Sequence, residues 1–329
     1  MSLYLLIIIF VISSIILYFS SEAVINGLTS MSKFLGVTEF ILSFFIIAFA
    51  ASIPNLIVGI TAATKGVPEL SFGDVMGNNI VALTIGIGLA TLFSKKKEIK
   101  IKNKTIGGTT IFTFFSAILP LTLMYDGVLS RTDGLVLISF FFLYLFWLFS
   151  KKERFSKKYD EDEDVNLPEN DFVGSTKNFF RDLLKILVGF IFILIAAHGI
   201  VYAAELLAIR LNVPNVLIGI LILGLGSALP EVYFAISSAR KGEEGVILGN
   251  LMGSVIIPAS LILGIVSMVR PIDVSGLEFF AINRLFVILA TTFFFIFVKT
   301  NSKITKREAY LLISVYLLFL FITIFVSQM

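Results

Sequence analysis

The sequence predicts an all-α membrane protein that crosses the bilayer ten times, as two inverted repeats of five helices each. Three observations lead to this fold class. The 329 residues are 57% hydrophobic with a mean hydropathy of +0.97, which is too apolar for a soluble protein of this length. The apolar residues form separate spans long enough to cross a bilayer. The second half of the chain also repeats the first at a constant offset.

The apolar spans account for most of the chain. They are predicted near residues 3–20, 37–64, 70–93, 106–125, 134–150, 183–208, 214–239, 245–269, 277–298 and 308–327. The first span has neither the basic start nor the small-residue cleavage site of a signal peptide, so we interpret it as a transmembrane helix.

One strongly polar segment divides the chain. Residues 151–181 begin with lysines and arginine and continue into an acidic run at 160–164, which is too polar to bury. We interpret this segment as a charged cytoplasmic linker. It separates a first repeat at 1–150 from a second repeat at 182–329.

The two repeats match when 176 is added to a residue number. Pro54 then pairs with Pro230, and the neighbouring pairs are Lys65-Gly66 with Lys241-Gly242 and Met76-Gly77 with Met252-Gly253. An odd number of helices per repeat makes the second repeat enter the membrane upside down. Most basic residues lie in loops on one side, so the positive-inside rule predicts that both termini are outside. Inverted repeats with irregular helices are common in secondary transporters, whose substrates bind near the midplane.

Composition excludes several other classes. The chain has no cysteine, which rules out disulfides, thiolate metal sites and cysteine nucleophiles. It shows no phosphate-binding loop, catalytic triad or zinc-ligand spacing, so we expect neither an enzyme nor a bound cofactor. The basic residues are confined to loops between apolar spans, so nucleic acid is not an expected partner.

The first motif of each repeat contains a proline inside an apolar span. Pro230 and Pro54 should kink or break their helices, because proline lacks a backbone donor and clashes with the preceding turn. Glu231 follows the second proline, whereas Asn55 follows the first. An ionisable side chain within a membrane span is a functional-site hypothesis by default.

The second motif lies on the next helix of each repeat. Glycines one turn apart, at 73 and 77 and at 249 and 253, allow close packing of helix backbones. Packing alone does not explain the neighbouring polar side chains. Their oxygens suit hard cations such as Na⁺ or Ca²⁺. They belong to Asp74, Asn78, Asn79, Asn250 and Ser254.

These motifs resemble the two α-repeats of the sodium/calcium exchanger family, within the calcium:cation antiporter superfamily and of its prokaryotic type. The family pattern is roughly G-T-S-x-P-E on the second helix of each repeat and G-N-x-x-G-S-N on the third. The resemblance implies exchange of Ca²⁺ against Na⁺ or H⁺ by alternating access. It also implies that the ions are bound by the two motif glutamates and by nearby serine and asparagine oxygens.

This chain departs from the family pattern at the site. Asn55 replaces the first glutamate, while Asp74 supplies an acid where the pattern usually has asparagine. We therefore expect Asp74 to approach Glu231 across the repeat interface, with Asn55 beside both. The complete set of candidate cation ligands is Ser52, Asn55, Asp74, Asn78, Asn79, Ser227, Glu231, Asn250 and Ser254.

Three functions follow from these residues. The first is a Ca²⁺ antiporter working against Na⁺ or H⁺ in a prokaryotic plasma membrane, with inorganic cations and the lipid bilayer as its partners. The second is a monovalent cation/proton antiporter, because one motif glutamate is Asn55. The third is a membrane scaffold or sensor that transports nothing. His198, the only histidine, is a candidate pH sensor. A lone histidine at a polar helix contact more often has a structural role.

Overall fold

The computed structural model describes residues 3–32, 48–95, 97–101, 104–150, 172–211, 215–242, 244–274 and 278–327. Within these ranges, nine helices are long and apolar enough to cross a membrane. The predicted span at 37–64 is described only from residue 48 onward, so the count of ten crossings stays a prediction. Large apolar side chains such as Phe146 and Phe321 lie exposed on the outer helices, as expected for surfaces that face lipid.

The helices of the first repeat overlap the predicted spans, but the first helix continues to Ser32, past the predicted end at residue 20. They are α1 (Leu3–Ser32), α2 (Phe49–Lys65), α3 (Glu69–Val81), α4 (Ile87–Phe93), α5 (Lys104–Leu123) and α6 (Arg131–Phe149). A π-helical turn at Ala82–Gly86 joins α3 to α4, so the two form one continuous crossing. Ser130 and Asp133 form a capping box that starts α6.

The second repeat is built in the same way. Its helices are α7 (Phe172–Leu211), α8 (Asn215–Ile218), α9 (Gly224–Lys241), α10 (Glu244–Ile256), α11 (Leu263–Val269), α12 (Glu278–Asn301) and α13 (Lys306–Ser327). Two π-helical turns, Gly219–Leu223 and Ile257–Ile262, join α8 to α9 and α10 to α11. Helix α7 begins at Phe172, inside the segment predicted as a linker.

Backbone irregularities recur at the 176-residue offset. Gly66 ends α2 with φ of 91° and Gly242 ends α9 with φ of 85°, a left-handed conformation that glycine adopts without strain. The π-helical turn at Ala82–Gly86 corresponds to the one at Ile257–Ile262. The repeat detected in the sequence is therefore also a repeat of local backbone geometry.

The prolines do not break their helices. Pro54 lies inside the continuous helix α2, and α9 runs through residue 230 without interruption. Of the two expected outcomes, a kink or a break, the break does not occur, because both helices continue past their prolines. A π-helical turn at Gly219–Leu223, with an i→i+5 hydrogen-bond pattern, precedes the helix that contains the second proline.

Two short strand pairs establish that the repeats are inverted. Strand β1 (Glu98–Lys100) pairs with β4 (Lys303–Thr305), and β2 (Val128–Leu129) pairs with β3 (Ile272–Asp273), both antiparallel. Only one crossing, α5, separates β1 from β2, so the two pairs lie on opposite faces of the membrane bundle. The offset relates β2 to β4, so equivalent segments of the two repeats lie on opposite faces.

Close glycine contacts bring the two repeats together at the centre. A Cβ atom added at Gly73 or Gly77 would overlap backbone atoms between Val216 and Ile220. A Cβ atom added at Gly224 would lie 2.7 Å from the Cα of Gly77. Helix α3 and the α8–α9 crossing therefore meet backbone to backbone. Because the meeting region includes both motifs, it places their polar side chains next to each other.

Candidate cation site

A cavity lies where the motif helices meet. Its volume is about 120 Å³, enough for a cation together with several water molecules. Its walls include four of the sequence-predicted ligands from three crossings: Asn55, Asp74, Ser227 and Glu231. The structure therefore brings residues of the first and second repeats into one site.

Both carboxylates of the cavity are buried. Asp74 is 4% exposed and Glu231 is 3% exposed. Ser227 donates a hydrogen bond from Oγ to Oδ1 of Asp74 at 2.8 Å, across the repeat interface. Asp74 and Glu231 lie close enough to repel each other when both are ionised. Two like charges buried together require a cation or protons to compensate them.

The asparagines of the second motif hold the backbone of the site. Asn250 donates from Nδ2 to the carbonyl oxygen of Glu231 at 3.2 Å, and Asn78 donates from Nδ2 to the carbonyl oxygen of Ser254 at 2.9 Å. Asn78 and Ser254 are equivalent by the repeat offset, so their contact marks the pseudo-two-fold axis. The axis runs next to Glu231, since the Ser254 side chain also interacts with its carboxyl group.

Several buried oxygens near this axis have no protein hydrogen-bond partner. They are Oδ1 of Asn78, Oδ1 of Asn250 and Oε2 of Glu231. A buried acceptor without a partner is costly, and amide and carboxylate oxygens are the ligands that hard cations prefer. Of the three residues only Glu231 lines the cavity, so its Oε2 can accept a cation or water there without giving up an existing bond.

Five predicted ligands do not line the cavity: Ser52, Asn78, Asn79, Asn250 and Ser254. Ser52 is buried, and its hydroxyl donates to the carbonyl oxygen of Ala48 at 2.7 Å within the same helix. Asn79 is fully buried with both amide atoms unpaired, yet it is not part of the cavity wall. Successive residues of a helix point about 100° apart, so Asn78 and Asn79 face different neighbours.

Helix α1 contributes wall residues that the motifs did not indicate. Phe10, Ser14, Leu17 and Tyr18 line the cavity, and Ile200 of α7 completes that side. The sequence offered only a weak signal for them, a polar Ser13-Ser14 pair within an otherwise apolar span. Helix α1 also packs closely on α7, where a Cβ at Gly199 would collide with Ser13.

His198 lies outside this site. Its side chain is exposed, and its carbonyl oxygen accepts a weak hydrogen bond of 3.5 Å from Nζ of Lys65. The side chain of Glu22, which the offset pairs with His198, lies outside the described part of the structure. A pH-sensing role for His198 therefore stays a hypothesis.

Comparisons with known proteins indicate one family. The family model described as sodium/calcium exchanger protein matches residues 5–150 and 182–325. The sodium/calcium exchanger MaX1 of Methanosarcina acetivorans is 25% identical, over 93% of this chain and 95% of its own. An uncharacterised membrane protein of Methanocaldococcus jannaschii is 25% identical, over 94% of this chain and 95% of its own.

The fold also matches solved structures. The sodium-calcium exchanger NCX_Mj, soaked with Na⁺ and Sr²⁺, superposes with a TM-score of 0.66 at 21% identity, covering 96% of this chain and 98% of that one. Both repeats match the family model, and the fold extends over nearly the whole length of both chains. The chain belongs to the sodium/calcium exchanger family.

Proposed function

We propose that this protein is a secondary antiporter that exchanges Ca²⁺ against Na⁺ or H⁺, with Asp74 and Glu231 as its charged ligands. Membership of the exchanger family supports cation antiport in general. The observation that supports a divalent substrate is the pair of buried carboxylates on one cavity at the repeat interface.

The ligand set suits a hard divalent cation. Ca²⁺ takes six to eight oxygen ligands and needs compensating negative charge when water is removed. Glu231 and Asp74 supply the charge, while Asn55 and Ser227 add neutral oxygens from opposite repeats. Water molecules in the cavity complete the coordination. In this arrangement Asp74 takes over the charge that the family pattern places at position 55.

Alternating access follows from the position of the site. The cavity lies between inverted repeats, next to the pseudo-two-fold axis marked by Asn78 and Ser254. Helices α1 and α7, which pack on each other, form its remaining wall. Movement of this pair against the other helices opens the site first to one face and then to the other. We place the protein in a prokaryotic plasma membrane with both termini outside.

A monovalent cation/proton antiporter is the second candidate. One observation favours it: Ser227 already occupies one oxygen of Asp74 with a 2.8 Å hydrogen bond. If that oxygen stays bonded to Ser227 during transport, Glu231 provides most of the coordinating charge. A single carboxylate suits one Na⁺ or one proton better than a dehydrated Ca²⁺.

Ion-resolved flux through purified protein in liposomes tests the proposal. Wild-type protein should take up Ca²⁺ when loaded with Na⁺ or facing a proton gradient. Glu231→Gln and Asp74→Asn retain side-chain size but remove one charge each, so each should abolish coupled Ca²⁺ uptake. Thermal unfolding of each variant shows whether the protein still folds.

The matched control is Glu98→Gln, which neutralises a carboxylate in a strand outside the membrane span. It should transport at the wild-type rate. If both site variants fold and transport the same ions at the wild-type rate, the two carboxylates are structural. Na⁺/H⁺ exchange without Ca²⁺ uptake in the wild type would establish the monovalent alternative.

A further inference from the structure

We propose that a groove between α1 and α7 binds an anionic phospholipid, with an acyl chain in the groove and the phosphate group at basic positions of α7. The inference concerns the lipid-facing surface of the protein and holds whichever ions are exchanged. It combines the chemistry and depth of the groove with the register of charged residues along one helix.

The groove is apolar and opens to the side of the helix bundle. Its volume is about 390 Å³, and its walls come from α1 between residues 19 and 23 and from α7 between residues 184 and 192. Its described wall residues are all different from those of the ion cavity. Phe19 is 63% exposed, Leu184 62% and Phe192 48%. Because apolar side chains on the outside of a membrane bundle face lipid, the groove suits a hydrocarbon chain.

The depth of the groove matches the level at which a phospholipid headgroup joins its acyl chains. The apolar window of α1 ends at Ser20, and that of α7 begins at Leu187. Along α7 the groove extends from Leu184 to Phe192, which is about 12 Å of helix rise. It therefore starts just outside the hydrocarbon layer and continues into it. A lipid seated there places its upper acyl chain in the groove and keeps its phosphate at the membrane surface.

Helix α7 continues beyond the membrane span as a basic extension. It begins at Phe172, about four turns before the span. Lys177, Arg181 and Lys185 occur in this extension at four-residue intervals, so their positions follow one side of the helix. Asp182 is the one acidic residue among positions 172–186, so the extension keeps a net positive charge.

The basic positions share a helix face with the groove. The apolar wall residues of α7 follow the three basic positions by seven residues each, and they are Leu184, Val188 and Phe192. Seven residues are close to two helical turns, so the two sets of positions lie on the same side of α7. The charged positions are therefore above the groove, where the phosphate of a lipid seated in it would lie.

The location in the membrane favours an anionic headgroup. The linker before α7 is too polar to cross the bilayer, so α7 begins on the face where the basic loops lie. The positive-inside rule makes this the cytoplasmic face, whose leaflet carries anionic lipids. Each lysine or arginine next to that surface strengthens the attraction of anionic lipid about fivefold. Arginine also binds phosphate through paired hydrogen bonds.

Photo-crosslinking of the wild-type protein in liposomes tests the site. Phosphatidylcholine vesicles receive either a phosphatidylglycerol or a phosphatidylcholine that carries a diazirine on its acyl chain, at the same mole fraction. Peptide mass spectrometry measures labelling of residues 19–23 and 184–192 relative to the exposed Phe321 face of α13. We expect phosphatidylglycerol to label the groove at least about fivefold more than phosphatidylcholine does. Equal labelling overturns the inference, and it is the result expected if the acidic run at 160–164 neutralises the basic positions instead.

A variant without the basic positions tests the role of the headgroup. It combines Lys177→Gln, Arg181→Gln and Lys185→Gln. Phosphatidylglycerol should then label the groove no more than phosphatidylcholine does, while labelling by phosphatidylcholine stays unchanged. A folded variant that keeps the wild-type preference for phosphatidylglycerol contradicts the inference. If the variant does not fold, the ratio between the two lipids on the wild-type protein decides.

The matched control loses the same number of charges away from the groove. Its substitutions are at exposed residues on the membrane face of the β1–β4 pair, and they are Lys95→Gln, Lys241→Gln and Arg307→Gln. The control should keep the wild-type preference for phosphatidylglycerol at the groove. An equal loss in the control and the site variant would mean that overall charge attracts the lipid, and it would overturn the proposed site.

Discussion

Substitution of Gly224 by alanine tests how the site is assembled. Gly224 begins α9 at the crossing with α3, and its φ of −62° is one that alanine adopts readily. Any effect must therefore come from space. A Cβ atom there would lie 2.7 Å from Gly77 Cα, 2.8 Å from the Asn78 nitrogen and 2.9 Å from the Asp74 carbonyl oxygen.

The magnitude follows from these distances. All three atoms belong to the backbone of α3, so no side chain can rotate away. The two helices must separate by roughly 0.7 Å before the shortest contact reaches the 3.4 Å of ordinary van der Waals packing. Overpacking of this kind costs about 1–3 kcal/mol. Alanine regains at most about 1 kcal/mol of helix propensity over glycine. The steric cost should therefore exceed the gain.

The separation should also disturb the ion site. Ser227 lies one turn beyond Gly224 and donates to Asp74 at 2.8 Å, so moving the helices apart stretches this bond. We expect Gly224→Ala to lower the unfolding temperature in detergent and to weaken the apparent Ca²⁺ affinity in the flux assay. Both quantities are measured on the same purified protein.

Gly107→Ala is the matched control. Gly107 lies in α5, and a Cβ atom there would meet nothing within 4 Å. The control should keep wild-type stability and transport. If Gly224→Ala behaves like Gly107→Ala in both measurements, the backbone contact between α3 and α9 does not hold the site together.

Three further predictions concern single residues. Ser227→Ala should weaken the apparent Ca²⁺ affinity about tenfold, equivalent to about 1.4 kcal/mol, because Asp74 loses its hydroxyl donor. Ser227→Thr keeps a hydroxyl group, so its apparent Ca²⁺ affinity in the same flux assay should stay near that of the wild type. The hydrogen bond from a lysine ammonium holds the pKa of the Glu98 carboxyl below its ordinary value. This hydrogen bond should therefore stabilise the fold at neutral pH, and the stabilisation should be lost as the pH falls through the lowered pKa. The difference in unfolding temperature between wild type and Glu98→Gln should shrink on acidification, and a difference that does not shrink would contradict this. Single cysteines introduced at Ser2 and Lys158 of this cysteine-free chain should react with impermeant reagents from opposite sides of the membrane, and labelling from the same side would refute the proposed topology.

The sequence alone determined the class of protein and its repeat. Hydropathy depends only on the local run of side chains, because a bilayer core requires about 20 apolar residues for every helix that crosses it. The 176-residue offset is equally a property of the sequence, and it pairs Gly66 with Gly242, which both end helices in a left-handed conformation in the structure. These features are local, so no knowledge of packing was needed to predict them.

The effect of the prolines depended on more than their local chemistry. The pattern around Pro230 indicated a kink or break, yet α9 continues through it. The structure places an irregular π-helical turn at Gly219–Leu223 instead, where Gly219 contacts the backbone of α3. The chemistry of proline allows a kink as well as a break, so the local sequence could not decide between them.

Tertiary structure decided which of the candidate residues line the site. Nine residues were candidates by type and spacing, but the direction of each side chain depends on how its helix is rotated against its neighbours. Packing directs Asp74 toward Ser227 of the other repeat, and it turns Asn79 away from the cavity. It also adds Ser14 and Tyr18 of α1, which belong to no motif. The physical reason is that the cavity forms only where separate helices cross, so its lining reflects contacts between segments far apart in sequence.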